Sequence, residues 1–249
     1  MCIFTGDVKS VGDTRIFARQ EGQRQVIVYD MHLSSKDETA MVLPIPVAKT
    51  SEADPVEFKD LSSYPKFFDD VESLFPQWMS ASADGFASRG ASRIKVQEVG
   101  VYEASFVPSP DDFRRLDPRF SLNDSFFEQA PEYADYGFVV FKLKPGESRV
   151  HPMAFWFSKE ADNQLFFPTK HMHNGIINSR DNFSHTLYAQ CDGALNTEDP
   201  SLETVDPVSQ RDELSSIVDK SQGLVSENQM ISKVARYGEN ENKDIWLRT

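Results

Sequence analysis

Residues 24 to 33 read RQVIVYDMHL, and this stretch decides the fold class. Val26 and Val28 alternate with Ile27 and Tyr29, so both faces of an extended chain carry large apolar side chains. A strand of this kind is typical of a sheet that is covered on both sides. The stretch therefore predicts a buried strand within a layered β-structure.

The runs on either side are also rich in β-forming residues and are separated by turn residues. They are CIFTG, TRIFARQ and AMVLPIPV within the first 48 residues, IKVQEVGVYEASFV at 94–107, and later YGFVVFKLKPGE, VHPMAFWFS, QLFFPTKHMH and FSHTLYAQC. We expect the last four runs to be successive strands joined by tight turns. Apolar spacing, proline positions and capping residues predict helices at 63–75, from Ser109 to Pro118 and at 125–133. In the tail, we expect helices at 211–220 and at 228–237, joined by loops. Strands in antiparallel groups with helices between them indicate an α+β fold with packed helices.

The length of 249 residues and the 39% share of hydrophobic residues fit one domain over residues 1–249. The segment at 79–92, MSASADGFASRGAS, is rich in small residues and predicts a long loop or lid. Residues 192–249 begin with a cluster of acidic side chains, and we expect this segment to pack on the body with its acids in solvent.

The formal net charge of −13 disfavours binding to nucleic acid or to an anionic membrane. No apolar run is long enough to cross a membrane, and no signal peptide precedes the first strand. The cysteines are Cys2 and Cys191, which predicts a reducing, cytoplasmic location and leaves their pairing open. A small-molecule partner and the oligomeric state also stay open.

Cys2 follows the initiator methionine directly, which gives it a special chemical option. If Met1 is removed, the free α-amine titrates near neutral pH and can act as the base for the thiol of the same residue. The competing interpretation is a small buried side chain on the first strand.

The start of the chain resembles cysteine-type N-terminal-nucleophile hydrolases, the superfamily of bile salt hydrolases and penicillin V acylases. The similar residues are Met1-Cys2-Ile3-Phe4, a turn at Gly12, and a returning strand that ends in Arg19. The resemblance implies that Cys2 is the catalytic nucleophile, that Arg19 assists it, and that the fold is an αββα sandwich. Gln20-Glu21-Gly22 stands where that family has an aspartate soon after the arginine.

A longer set of segments resembles a family of uncharacterised bacterial proteins. These segments are VIVYDMHLSS, AMVLPIPV, VGVYEASFVPSPDDFRRL, YADYGFVVFKLKPG, HPMAFWFS and LFFPTK. This resemblance implies a common fold and brings no activity with it.

Histidines gather in the predicted strands between residues 151 and 185: they are His151, His171, His173 and His185. If these strands pair in sequence order, their imidazoles share one face and could bind a divalent metal such as Zn²⁺. A shift of one residue in register destroys this cluster, and the competing interpretation is a set of strand-end histidines near turns.

Motifs for a P-loop, a dinucleotide-binding turn, a zinc protease and a serine hydrolase elbow do not occur. The leading hypothesis from the sequence is a cysteine amidase that acts on a small amide. The alternatives are a metal-binding protein or metalloenzyme that uses the histidines, and a non-catalytic binding or assembly protein.

Overall fold

The computed structural model describes residues 3–48, 55–76, 103–122, 124–159, 163–172, 175–193 and 195–249. The predicted loop at 79–92, most of the run at 94–107, Cys2 and His173 lie outside these residues. The α+β fold class is confirmed, since the described chain consists mainly of β-strands with a few short helices.

The strands, in chain order, are β1 Ile3–Phe4, β2 Val8–Glu21, β3 Arg24–Ser35, β4 Thr39–Ile45, β5 Val56–Asp60, β6 Glu103–Val107, β7 Gly137–Leu143, β8 Gly146–Arg149, β9 Met153–Ser158, β10 Gln164–Phe167, β11 Arg180–Cys191, β12 Glu203–Val205, β13 Met230–Glu241 and β14 Ile245–Arg248. The α-helices are α1 Phe67–Ser73, α2 Asp124–Gln129 and α3 Arg211–Lys220.

Two main sheets form within the described residues. The large sheet has the order β12-β13-β11-β2-β3-β9-β5, and β8 adds to β3. The small sheet has the order β1-β4-β7-β6, while β10 and β14 form a separate two-stranded ribbon. Most neighbours are antiparallel, but β2 and β11 are parallel, so the large sheet is mixed rather than purely antiparallel.

Strand β3 lies inside the large sheet, and the prediction from RQVIVYDMHL is confirmed. Ile27 and Tyr29 face a core between the two sheets, together with side chains of β4 and β7. Val26 and Val28 face a second core, which α1 and α3 cover. All four side chains are fully buried, because each face of the strand has its own covering layer.

A third core lies on the outer face of the small sheet, where α2 and the 3-10 turns at Pro110–Arg115 and Pro118–Phe120 pack. The layers therefore run helix, sheet, sheet, helix. This order matches the sandwich that the sequence suggested, yet a layer order alone says nothing about chemistry.

The expected helices at 63–75, 109–118, 125–133 and 211–220 correspond to α1, a 3-10 turn, α2 and α3. The helix expected at 228–237 is wrong, because this segment is the long strand β13. β13 pairs with β11 over its whole length, from Met230 opposite Cys191 to Glu241 opposite Arg180. Pairing with a distant strand outweighs local helix preference here.

The expected succession of four neighbouring strands is also wrong. β7 lies in the small sheet, β9 lies between β3 and β5, β10 pairs with β14, and β11 lies between β2 and β13. Strands that follow each other along the chain thus enter three different sheets. Among the described residues, no helix is long and apolar enough to span a membrane, and the cytoplasmic location stays a prediction.

A single cut within residues 77–102 should leave one folded body, because each of the two main sheets contains strands from before and from after the cut. The fragment with β2 and β3 is paired to β9 and β11 of the other fragment. We expect a protease recognition site inserted after residue 84 to be cut without separating the fragments. Native size-exclusion chromatography should show one peak and denaturing electrophoresis two bands; two native peaks would contradict the expectation.

Candidate functional site

His171 and His185 form a stacked pair in the interior. Their ring centroids lie 5.1 Å apart with an interplanar angle of 19°, and Phe183 stacks on His171 at 4.2 Å. The side chain of Asn242 accepts a hydrogen bond from the His171 backbone N–H and donates one to its carbonyl. Burial, with His171 as a neighbour, lowers the pKa of His185 well below its usual value. The pair is therefore a buried aromatic stack, and the Asp181 Oδ2 atom lies 3.8 Å from the His171 Nδ1 atom at its side.

The predicted metal site does not form from the described histidines. His151 precedes β9, whose Met153 end pairs with Asp60 of β5, whereas His171 follows β10 and His185 lies on β11. The predicted pairing between these strands does not occur, so the premise for one shared face is wrong. His173 lies outside the described residues. Among the described residues, no group of three His, Cys, Asp or Glu side chains could hold a metal, which contradicts the expected metal binding. The full set of four histidines includes His173 and therefore stays a prediction.

Arg19 is buried in a structural position on the α3 side of the large sheet. Its Nε donates to the Leu224 carbonyl at 2.9 Å and its Nη2 donates to the Gly223 carbonyl at 2.8 Å. The guanidinium also lies over the Trp156 ring at 5.0 Å. Burial lowers the pKa of Arg19, although Glu21 opposes this effect. The first strand, β1, belongs to the small sheet, which packs on the opposite face of the large sheet.

Of the two cysteines, the structure describes Cys191. Cys191 is a free, buried thiol whose Sγ donates to the Gly193 carbonyl, and burial raises its pKa. Such a thiol is a poor nucleophile. Cys2 lies outside the described residues, so its reactivity stays a prediction that thiol labelling of the native protein can test.

A buried ion cluster, which the sequence analysis missed, joins the large sheet to α1. Asp30 is fully buried on β3 and accepts hydrogen bonds from Arg15 Nε at 2.9 Å and Nη2 at 2.6 Å. Arg149 Nη1 donates to the same carboxylate at 3.1 Å. The third nitrogen of Arg15 reaches Asp69 of α1 at 2.7 Å. The polar Asp30 inside QVIVYDMHL was the signal that could have indicated this cluster.

Further polar contacts fix α1 to the large sheet. Glu72 accepts from the Tyr188 hydroxyl at 2.5 Å and pairs with Lys233 at 3.1 Å. Within the turn that leads into α1, the Tyr64 hydroxyl donates to Asp70 at 2.8 Å. The chain leaves this anchored helix toward residue 77 and resumes at Glu103, the start of β6, at an edge of the small sheet. Both ends of the stretch 77–102 are therefore held by the fold, in different layers.

An open groove of about 1100 Å³ lies between β5 and β6. Each of these strands is the last described strand of its sheet. The groove contains apolar side chains, with Phe58 on one wall and Phe106 and Leu116 on the other, and charged groups at its borders.

The fold is similar to that of baculovirus P35. The crystal structure of P35 has a TM-score of 0.52 and 14% sequence identity, covering 100% of this chain and 99% of P35. P35 in the caspase-8/P35 complex has a TM-score of 0.47 at 14% identity, covering 96% of each chain. A mutated P35 after caspase cleavage has a TM-score of 0.45 at 12% identity, covering 95% of this chain and 99% of P35. No family model matches the sequence, and no curated protein is similar to it.

The similarity to P35 over the whole chain corrects both family resemblances. The similarity to N-terminal-nucleophile hydrolases was limited to about twenty residues with little specific content, and it is wrong. The resemblance to uncharacterised bacterial proteins is also wrong, since no family model or curated protein matches and the structure is similar to P35 instead. The amide hydrolase hypothesis is therefore withdrawn.

Arg15→Leu should destabilise the protein by about 3 kcal/mol, because it leaves the buried Asp30 carboxylate with Arg149 alone. Urea unfolding followed by circular dichroism measures this change. The matched control is Arg180→Leu, which breaks the exposed Arg180–Glu239 pair and should have a far smaller effect. Equal losses in both variants would contradict a special role for the buried cluster.

Acid should destabilise the protein partly through His185. Because its folded pKa lies below the usual 6.5, the unfolded chain takes up a proton near that pH that the folded chain does not. This contribution to stability is complete above about pH 6.5 and is lost as the pH falls, by up to about 1.4 kcal/mol per pH unit. The free energy of unfolding, measured at pH 7, 6 and 5, should therefore depend less steeply on pH in His185→Phe than in the unmodified protein. An unchanged slope would contradict the assignment.

Proposed function

We propose that the protein is a non-catalytic binding protein that inhibits a caspase-type cysteine protease. The observation that supports this function is the fold similarity to P35 over the whole length of both chains. P35 has been solved in a caspase-8/P35 complex and, in mutated form, after caspase cleavage. The partner of this chain would then be a protease rather than a small molecule or a metal ion.

The internal organisation is compatible with a protein that is cut and keeps its shape. Arg19 supports backbone carbonyls, and the His171–His185 pair supports packing, so neither serves as a reacting group in this proposal. The helix before residue 77 and the strand after residue 102 are each fixed by contacts to a sheet. A bond cleaved between these elements would leave both sheets intact.

A caspase cleaves after aspartate and favours a small residue next, which narrows the choice of bond. Asp84-Gly85 lies in the small-residue segment 79–92, for which the sequence predicts a loop. Asp192-Gly193 has the same dipeptide, but Asp192 follows β11 and accepts a hydrogen bond from Gln229 at 2.8 Å. We assign Asp84 as the residue that the protease recognises.

Purified caspase-8, assayed with a fluorogenic aspartyl peptide, tests the proposal directly. The full chain should abolish peptide hydrolysis at near-stoichiometric ratios, and mass spectrometry should detect cleavage after Asp84. Asp84→Ala should lose inhibition by at least about 100-fold, since the protease needs the carboxylate for recognition. Asp192→Ala is the matched control and should inhibit normally.

A folded protein that leaves caspase-8 and a panel of other caspases fully active at micromolar concentration would overturn the proposal. Inhibition that persists in Asp84→Ala would retain the function and reject the assigned residue.

A further inference from the structure

Strand β5 has a charge pattern that is complementary to itself. It reads Val-Glu-Phe-Lys-Asp over Val56–Asp60, with Phe58 in the middle. In an antiparallel pair of two such strands centred on Phe58, Glu57 of each strand lies opposite Lys59 of the other. Opposite charges at directly facing positions stabilise strand pairs. An edge strand with a lysine alone would instead place like charges from the two chains near each other, which disfavours pairing.

The backbone of β5 has its free hydrogen-bonding groups at suitable positions. Among the described strands, β5 pairs only with β9, and the Ser158 N–H donates to the Pro55 carbonyl. Since bonded residues alternate along an antiparallel pair, Glu57 and Lys59 also bond toward β9. Val56, Phe58 and Asp60 then direct their N–H and C=O groups away from β9, to the side on which none of the described strands pairs with β5. At one of them, the exposed amide of Gln222 contacts the Asp60 carbonyl at 3.3 Å, a long contact that another strand can replace.

A central hydrogen-bonded pair at Phe58 places Glu57 and Lys59 at the flanking non-hydrogen-bonded positions, where side chains approach most closely. In the single chain, Glu57 already contacts Lys59 at 2.6 Å and Arg24 at 2.8 Å, so its carboxylate lies in a basic environment. A second strand would add two more such contacts, one on each side of the symmetry axis.

The groove beside β5 offers space for the apolar residue at the centre of the pair. Phe58 is partly buried and lies edge-on to Phe141, with its ring toward the core between the sheets. Two-fold pairing puts both Phe58 rings on the same face of the joined sheet. Phe58 of the partner subunit would then enter the groove that Phe106 and Leu116 line on its other wall.

We propose that β5 is a homodimer interface, in which two copies of this chain join their large sheets edge to edge around a two-fold axis at Phe58. The occupant of the groove is a second copy, because the Glu57 and Lys59 pattern is complementary to itself. A five-residue strand pair with one apolar contact is a small interface, so the dimer is weak and depends on concentration. The proposal does not depend on protease inhibition.

Sedimentation velocity over a range of concentrations measures the dimer and its charge dependence. Glu57→Lys alone and Lys59→Glu alone place like charges opposite each other, and each should weaken dimerisation by about tenfold or more. The double variant Glu57→Lys with Lys59→Glu restores opposite charges and should dimerise like the original chain. A mixture of the two single variants should form the mixed dimer, since one copy then carries two positive and the other two negative charges.

Glu241→Lys and Lys243→Glu are matched controls, because this exposed pair has the same spacing and a 2.6 Å contact but lies outside β5. They should leave the dimer unchanged, and circular dichroism verifies that every variant is folded. A protein that is monomeric at all concentrations would overturn the proposal. A dimer that all charge variants weaken alike, or that none affects, would overturn it as well.

Discussion

The burial of β3 on both faces is the constraint on which the rest of the structure depends. One face requires the small sheet as its cover, and the other requires α1 and α3. A strand this apolar cannot remain at a surface, since each large side chain gains about 1.5–3 kcal/mol on burial. The one charged side chain at its centre, Asp30, is tolerated because two arginines neutralise it. The two apolar faces of residues 24–33 therefore require a sheet on one side and helices on the other, which is the layer order observed around β3.

Local patterns in the sequence predicted local structure well. Alternation identified β3, and proline and capping residues located α1 and the 3-10 turn that begins at Pro110. The error at 228–237 has a physical cause: a segment of mixed propensity takes the form that its partner imposes, and β11 imposes a strand on β13.

Predictions about the site failed where they needed the identity of a distant neighbour. The histidine cluster required β9, β10 and β11 to be adjacent, but their partners come from the start and the end of the chain. His171 and His185 do meet, as two members of the predicted cluster, but without the predicted pairing of β10 with β11. Asn242 and Phe183 position His171 instead. Arg19 illustrates the same limit, since it donates hydrogen bonds to the backbone carbonyls of Gly223 and Leu224, which lie more than two hundred residues later in the chain. The sequence drew attention to the histidines and to Arg19, but the contacts that these side chains make depend on which strands are neighbours in the sheets.

The parallel pairing of β2 with β11 has a consequence for how the protein is made. On a ribosome, β2 and β3 emerge early, but β11 ends at Cys191 and β13 at Glu241. The large sheet therefore cannot be completed until the residues up to Glu241 have left the exit tunnel. Until then, the edge of β2 is an unpaired apolar strand that other nascent chains can join. Contacts this distant in sequence also slow folding, so newly made chains should depend on chaperones far more than the finished protein does.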